Sequence, residues 1–465
     1  MTNFKKMLLV STAALTGLAG LASAETVTLR DAMSLAIDSH PEINQAIQNK
    51  EAIEFEREQA QGLFLPRVSV EGSAGWRHLE NPTRRALDAS NKDLMPLEAS
   101  IRGEQIIFDS GNRANELKRQ AARTDGAATR IEERSQFIAL QVARQYLDYL
   151  LQQRIVAASA DNVAFHEKLV GDLTQGVSQG SISIADQQQA EERLQSARAK
   201  LTESRQDLTN TAISIRTLSG IDIEETAILP EPLRAKLPVD LNEAIEKTRT
   251  KSPKIREAQA DLDAAYAMIG KAKADLGPSL SLEASARHGD EVDGFRNGTT
   301  TDIQARVVAR MLLFDGGINR AKVQEMVRRA SEARFRLHQV SREAEEDLRV
   351  SWNAWTNQGK LVNELDQQAK ASDDVLNSYR EQFNVGRRSL LDVLDAQNTR
   401  FNVQVRAETA RFATQFAEYK ILAAENELLQ AMDLTAPASA KADARARFHV
   451  GPTPPAETMR RRYPD

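Results

Sequence analysis

The longest pattern in the chain is a seam of apolar positions that runs from residue 318 to residue 385. Its members are Val323, Ala330, Leu337, Ala344, Leu348, Trp352, Trp355, Val362, Leu365, Ala369, Leu376, Tyr379 and Phe383. Steps of seven, four and three residues are typical of a coiled-coil seam. A matching seam lies between residues 112 and 179, with Leu147, Leu151, Ile155, Ala158, Asn162, Phe165 and Leu169. Each stretch has 68 residues, and a helix of that length is roughly 100 Å long, which indicates a rod, a bundle or a tube.

Four shorter stretches alternate apolar and polar residues and predict β-strands at about 67–77, 97–108, 279–288 and 302–314. One face of each is apolar and the other is polar or charged, as in a strand with lipid on one side and water on the other. A half-buried sheet in a water-soluble protein is the alternative. Because the pattern recurs four times beside extended helices, we favour a transmembrane β-barrel.

Landmarks recur in one order, which indicates an internal duplication. Leu29–Ala32 matches Leu241–Ala244, Pro66–Glu71 matches Pro278–Glu283, Phe108–Gly111 matches Phe314–Gly317, and the Gly180, Ser183, Asp186 spacing matches Gly386, Ser389, Asp392. The offset is 212 residues for the first two pairs and 206 for the last two. We therefore divide the chain into a signal peptide at 1–24, repeat 1 at 25–234, repeat 2 at 235–435 and a tail at 436–465.

The two ends differ from the repeats. Lys5 and Lys6 precede an apolar stretch that ends at Ala22-Ser23-Ala24, which is the pattern of a cleaved signal peptide, with a membrane anchor as the alternative. The tail is rich in proline and charge without periodicity, which predicts disorder and tolerance of a deletion from Ala438 onward.

Composition excludes several other classes. Charged residues make up 27% of the chain, which does not leave room for several membrane helices of ~20 apolar residues. There is no cysteine, and the net charge of -5 does not indicate a nucleic-acid surface. The six histidines form no zinc-protease motif, and phosphate and dinucleotide fingerprints are absent. We expect no enzyme, no cofactor and no metal. A coiled-coil adaptor would explain the helices but not the strands.

Four strands cannot close a barrel, and an open sheet edge is not stable in lipid because its backbone groups lack partners. The chain must therefore assemble with copies of itself. Two copies give 8 strands and a filled interior, whereas three give 12 strands and a lumen. The strand pattern does not decide between them.

The glycines Gly180 and Gly386 each interrupt a long helical pattern, as expected where a helix ends in a left-handed residue. Ser183 and Ser389 follow three residues later and are good N-caps for the next helix. An aspartate in the first turn, Asp186 or Asp392, suits the helix dipole. Both sites therefore predict helix–turn–helix hairpins, which alone is a purely structural role.

These motifs resemble the outer membrane efflux protein family, the TolC-like channel-tunnels. The most specific match is Tyr379–Gln397, with Gly180–Ala190 as its copy, and the Phe-Asp-x-Gly turns resemble the family's strand-to-helix junction. The resemblance implies a mainly α-helical homotrimer with a 12-stranded barrel in the outer membrane and a helical tunnel in the periplasm. It implies a periplasmic adaptor and an inner-membrane transporter as partners. Residues 379–395 look more like members that serve type I protein secretion, with drug efflux as the alternative.

The resemblance also gives the hairpins roles. It implies that Gly180, Ser183, Gly386 and Ser389 form tips that dock the adaptor. It implies that Asp186 and Arg388 form a polar latch that holds the mouth closed, although Phe383 lacks the hydroxyl that many family members have there. Asp392 and Asp395 share one helix face at i,i+3 spacing, and the family places its periplasmic constriction at these positions. In a trimer they form a ring of six carboxylates, which favours cations.

Overall fold

The computed structural model describes residues 27–88, 93–223 and 227–446. The predicted signal peptide at 1–24 lies outside these residues. The first repeat contains α1 (Leu29–Ser39), α2 (Pro41–Gly62), β1 (Arg67–Ala74), α3 (Pro82–Ala86), β2 (Leu97–Phe108), α4 (Asn112–Ser178) and α5 (Ile184–Ser219). The second contains α6 (Leu241–Lys251), α7 (Pro253–Ala274), β3 (Ser279–Asp290), β4 (Thr299–Arg310), α8 (Ile318–Asn384), α9 (Leu390–Ala424) and α10 (Leu428–Ala431).

The helices α4 and α8 each have 67 residues, as the seams predict. Each begins after a glycine with positive φ, Gly111 at 92° and Gly317 at 89°. The aspartate before it, Asp109 or Asp315, accepts hydrogen bonds from backbone N–H groups of the first turn. These bonds satisfy donors that have no partner inside the helix, so the Phe-Asp-x-Gly turns fix where the long helices begin.

Around the strand-proximal half of the long helices, four helices lie side by side in the order α2, α4, α7, α8. At the other half the neighbours are α5 on α4, α4 on α9 and α9 on α8. The two repeats are thus joined through α4, which contacts α7 and α9 of the second repeat. Among the described residues, no helix is both long and apolar enough to cross a membrane.

The four strands form one antiparallel sheet in the order β1-β2-β3-β4. Its register places Arg67, Glu104, Glu283 and Arg306 in one row on the polar face. Glu283 accepts hydrogen bonds from Arg306 at 2.8 Å and from Arg310 at 2.7 Å. The opposite face carries exposed apolar side chains, among them Val70, Ile101 and Ile303. β1 and β4 are the sheet edges.

Two strands differ from their predicted bounds because of their partners. β1 ends at Ala74 rather than near residue 77, because β2 begins opposite it at Leu97 and only an isolated bridge joins Arg77 to Leu94. β4 covers Thr299–Arg310 rather than about 302–314, because Arg310 pairs with Ser279, the first residue of β3.

The largest core lies around the middle of α4. It contains side chains of α1, of α4 between Ile131 and Leu150, and of the ends of α5 and α9. The Tyr146 hydroxyl accepts the Ile228 N–H at 2.9 Å and lies 2.8 Å from the Val27 carbonyl oxygen. This tyrosine therefore ties the first described residues and the linker between the repeats to the same core.

The tail differs from the disorder predicted from residue 436 onward. Residues 438–440 form a 3-10 helix, and Ala436 and Ala440 pack on the main core. Ala444 is buried, and its N–H donates to Asp125 at 2.7 Å. Arg445 pairs with Asp125 on α4 at 2.7 Å and with Asp263 on α7. The disorder prediction is therefore wrong for residues 436–446, where buried carboxylates of both repeats hold the chain. Residues 447–465 lie outside the described part.

Candidate functional site at the helix-hairpin tips

The first hairpin tip joins α4 to α5. Gly180 has φ of 74°, and a Cβ added there would meet no atom within 4 Å. The Ser181 N–H closes the end of α4 by donating to the Gly176 carbonyl at 3.0 Å. Ser183 then caps α5: its hydroxyl accepts the Asp186 N–H at 3.1 Å and donates to the Asp186 carboxylate at 2.8 Å.

The second tip joins α8 to α9 in the same way. Gly386 has φ of 70°, and a Cβ added there would also meet no atom within 4 Å. Ser389 caps α9 in a complete capping box, because its hydroxyl accepts the Asp392 N–H at 3.2 Å and the Asp392 carboxylate accepts the Ser389 backbone N–H at 3.3 Å. The Ser389 hydroxyl also donates to the Asp392 carboxylate at 2.7 Å. The hydroxyl bond lowers the pKa of Asp392, burial opposes the shift, and Arg388 adds to the lowering. Asp392 is therefore ionised at neutral pH in a single chain.

The two tips differ at one position. Arg388 stacks over the Tyr379 ring at 4.0 Å, lies 3.7 Å from the Asp392 carboxylate and donates to Gln382 at 3.2 Å. The equivalent residue of the first repeat, at the 206 offset, is Ile182. Ile182 instead packs against a small core that contains Leu173, Ala190, Leu390 and Leu394. The first tip is therefore held by apolar packing, and the second by a cation on its surface.

That small core brings the tips together, because it contains side chains of α4, α5 and α9, and Phe383 of α8 packs on it. The predicted latch residues are not joined within the chain. Asp186 bonds to Ser183, and Arg388 bonds to residues of its own hairpin. Asp395 lies exposed one turn after Asp392 on α9. The latch and constriction roles therefore stay predictions that depend on neighbouring copies.

Sequence reasoning missed one buried polar contact just above the tips. Gln397 of α9 is 1% exposed and donates to Asn162 of α4 at 2.8 Å. Asn162 occupies a position in the apolar seam of the first repeat, and a polar residue in such a seam is a known register device in coiled coils. The break in the seam was the signal that could have revealed this contact. Among the described residues, no group of three or more histidines or carboxylates is placed to hold a metal ion.

A family model described as "Outer membrane efflux protein" matches residues 32–221 and 244–447. The chain belongs to the outer membrane efflux protein family. The two matches of this family begin 212 residues apart, which is the offset of the first sequence landmarks. The membership makes the chain an outer-membrane protein of an efflux-channel family, as the resemblance implied, and favours the channel over the enzyme and adaptor interpretations.

Relatives within the outer membrane efflux protein family carry names that point to different roles. The outer membrane protein TolC of Escherichia coli is 23% identical over 86% of this chain and 81% of its own. The alkaline protease secretion protein AprF of Pseudomonas aeruginosa is 22% identical over 83% and 81%. The toluene efflux pump outer membrane protein TtgF of Pseudomonas putida is 28% identical over 58% and 56%.

The fold of the chain is similar to that of solved structures. The outer membrane protein VceC of Vibrio cholerae has a TM-score of 0.75 at 15% identity, over 86% of this chain and 96% of that one. The similarity supports the mainly helical architecture with a four-stranded sheet.

Proposed function

We propose that the chain is the outer-membrane exit duct of a tripartite export system, assembled from three copies. The observation that carries this is the sheet at one end of helices roughly 100 Å long. Its outer face exposes Val70 by 78% and Ile303 by 79%, which suits contact with lipid. Its edges β1 and β4 have open hydrogen-bonding groups that another copy can pair. Three such sheets give 12 strands around a lumen.

Purified full-length protein in a planar bilayer tests the duct. We expect stepwise conductance from an oligomer that survives extraction in mild detergent. A protein that inserts into the bilayer without conducting would contradict the proposal, and so would a chain that stays monomeric in native membranes.

Type I protein secretion is the service that we assign to the duct. It is supported by the motif at residues 379–395 and by the match to AprF, whose name links it to protease secretion. The match to TtgF supports small-molecule efflux as the second candidate. Deletion of the gene separates them: type I service predicts loss of a large protein from the culture supernatant with unchanged solvent and drug tolerance. Efflux predicts the reverse.

The hairpin tips are our candidate docking site for a periplasmic adaptor and, through it, an inner-membrane transporter. Gly180 and Gly386 have open space around them, so a bulky side chain there would project away from the fold, at the cost of some local backbone strain because both residues have positive φ. We expect Gly180→Trp and Gly386→Trp to assemble normally and to reduce export and adaptor cross-linking about tenfold or more. Unchanged export in both variants would remove the docking role.

Asp186 and Arg388 are our candidate latch between neighbouring copies. An exposed ion pair contributes only about 0–1 kcal/mol, so a latch of this kind depends on repetition around the axis. We expect Asp186→Ala with Arg388→Ala to raise single-channel conductance above wild type. Arg388→Ala alone also removes the stack on Tyr379, so Asp186→Ala alone is the matched control for local loosening of the second tip.

A further inference from the structure

The row α2, α4, α7, α8 has two free ends, because α2 contacts only α4 of this row and α8 contacts only α7. At the 206 and 212 offsets, α8 is the repeat equivalent of α4, and α2 is the equivalent of α7. The contact between α4 and α7 is therefore a buried junction between the two repeats. The equivalent helices, α8 and α2, lie at the two ends of the row and do not form this junction within the chain.

The buried example is antiparallel and closely packed. A Cβ on Gly270 of α7 would collide with the Asn115 side chain of α4, and one on Gly126 would lie 3.4 Å from Ala260. An ion pair follows the same register, with Lys271 on Glu116 at 2.8 Å. Two carboxylates, Asp125 and Asp263, both pair with Arg445. This geometry fixes which residues face each other when the helices of a second copy take the same positions.

The equivalent positions at the free ends are exposed. On α4, Ala122 and Thr129 are buried, whereas their equivalents on α8 are the exposed residues Arg328 and Phe335. On α7, Asp263, Ala267 and Gly270 correspond to Glu51, Phe55 and Glu58 of α2, which are all exposed. Phe55 is 63% exposed and Phe335 is 55% exposed. The α2 edge thus presents Phe55 between Glu51 and Glu58, whereas the α8 edge presents Phe335 beside Arg328 and Arg336, with the exposed Glu332 at the equivalent of Gly126.

The two edges have opposite charge. Residues 318–342 of α8 carry seven arginines and lysines against two glutamates, whereas α2 carries five glutamates against one lysine and one arginine. Among the described residues Arg328, Glu51 and Glu58 form no ion pair, whereas Arg336 already acts electrostatically on Asp261 of α7. Opposite fields on two surfaces favour and orient their association.

The first level of the α4–α7 register is the one at Arg445. Asp125 of α4 and Asp263 of α7 share this arginine, and their equivalents are Ser331 and Glu51. Arg328 lies one turn before Ser331. At the inner junction a residue of the tail supplies the cation between two carboxylates, whereas at the free edge α8 carries a cation itself.

The second level is the ion pair of Glu116 with Lys271. Their equivalents are Lys322 on α8 and Gln59 on α2, which is next to Glu58. Lys322 is 47% exposed and also meets Asp275 of its own chain at 3.1 Å. At the free edges the cation is therefore on the long helix, and the nearest carboxylate on the short helix is Glu58, one residue before the uncharged equivalent Gln59.

We propose that the basic edge of α8 in one copy binds the acidic edge of α2 in the next copy, with Arg328 facing Glu51 and Lys322 facing Glu58. This head-to-tail contact generates a ring when its rotation closes. The inference rests on the proposed assembly and adds the surface and the charges that select the partner. Each protomer then uses one junction of this type internally and one externally.

Charge reversal in the full-length protein tests the pairing. We expect Glu51→Lys with Glu58→Lys to reduce the oligomer fraction at least about tenfold at physiological salt, because each reversal replaces an attraction by a repulsion between like charges. We expect the same loss from Arg328→Glu with Lys322→Glu. The fourfold variant, with both edges reversed, should recover most of the oligomer because each facing pair is again of opposite sign. The fourfold variant also lacks the contact of Lys322 with Asp275, so any recovery of the oligomer comes from the two edges and not from that contact.

The control of equal charge change is Asp38→Lys with Glu231→Lys, two exposed residues outside both helices. It should assemble as wild type does. The oligomer fraction is measured by native mass spectrometry after extraction in mild detergent, and circular dichroism checks that each variant is helical.

Wild-type assembly in either single-edge variant would overturn the inference, and so would a helical fourfold variant that stays monomeric. A wild-type protein that never assembles would instead refute the proposed duct. The two failures are therefore distinguishable.

Discussion

The helices α4 and α8 are equivalent in the two repeats and have equal length, yet their surroundings differ. Of its 67 residues α4 buries 28, whereas α8 buries 8. α4 lies in the middle of the chain's helices and contacts α2, α5, α7 and α9, whereas α8 lies at an end of the row. Duplication thus produced one helix that is completed inside the chain and one that a single chain leaves incomplete.

The sequences already carry this difference. Where α4 has Ala122 and Thr129 in its buried stripe, α8 has Arg328 and Phe335. Small residues suit a junction that forms within one chain as it folds. Charged and aromatic residues suit a surface that must stay soluble alone and then select a partner.

Removal of the Arg445 side chain should have the largest effect on stability, because Arg445 holds the α4–α7 junction through two buried carboxylates. We expect Arg445→Ala to lower the free energy of unfolding by about 3–5 kcal/mol, the range for a buried pair that loses one partner. Denaturation followed by circular dichroism measures this. The control is Lys441→Ala, which removes a nearby cation whose side chain is 79% exposed. An unfolding free energy for Arg445→Ala equal to that of the control would contradict the clamp.

Mixing the two single-edge variants tests how many copies pair α8 with α2 in a closed ring. The α2-reversed chain and the α8-reversed chain match each other at both edges but do not match themselves. A ring of three always places two chains of one kind side by side, so we expect mixtures to form no closed ring. A ring of two would alternate and close. Recovery of a closed oligomer in the mixture would therefore exclude three copies.

If Asp392 and Asp395 form the constriction, as the family resemblance implies, the two tips should differ in their effect on ion permeation. Asp392 and Asp395 lie on α9, whereas the first repeat has Asp186 and Gln189 at the equivalent positions. We expect Asp392→Asn with Asp395→Asn to abolish cation selectivity and block by trivalent cations from the periplasmic side, because carboxylate rings bind such ions. Reversal potentials in planar bilayers measure this, and the control is Asp38→Asn with Glu231→Gln, which removes two charges from exposed residues outside the tips. Wild-type selectivity and block in the double variant would place the constriction elsewhere.

The ends of α5 and α9 give the smallest expected effect. Ser219 and Glu425 are equivalent and fully buried, but Ser219 bonds to a carbonyl whereas neither Glu425 side-chain oxygen has a hydrogen-bond partner among the described residues. Burial raises the pKa of Glu425 to about 7, the cations Lys247 and Lys251 oppose the shift, and Glu427 and Glu243 add to it. When folding raises the pKa of an acid, the protein loses stability as the pH rises from the pKa of the unfolded state, 4.5, to the pKa of the folded state.

Glu425→Gln should therefore flatten the dependence of stability on pH between 4.5 and about 7. Above that range it should add at most about 3 kcal/mol, since each pKa unit between 4.5 and about 7 corresponds to about 1.4 kcal/mol. Thermal or urea denaturation at several pH values measures the slope. An unchanged slope would show that another group titrates there.

The long helices were predictable to within one residue because local signals mark both ends. Gly111 and Gly317 begin them, and Gly180 and Gly386 follow their last turns with positive φ. The caps at Ser183 and Ser389 were predictable for the same reason. Strand bounds were less so, since the last paired residue of β1 depends on where β2 begins.

Contacts between distant residues were not predictable. Nothing near Arg445 in the sequence indicates that its guanidinium meets carboxylates 320 and 182 positions away. The tail lacks periodicity because a few polar bonds hold it against α4 and α7, and an irregular segment of this kind has no repeating apolar face. The stack of Arg388 on Tyr379 likewise depends on the geometry of a closed turn.

The distance between the main core and the hairpin tips has a mechanical consequence. The core holds α4 up to Leu150, and the helix continues for 28 residues to Ser178, a length of roughly 42 Å. A tilt of about 3° at the core then moves the tip by about 2 Å, which is enough to break a hydrogen bond of ordinary length. The helix is a lever arm whose fulcrum is the packed core. Small repacking around Tyr146 is therefore amplified into a larger displacement of the hairpin tip.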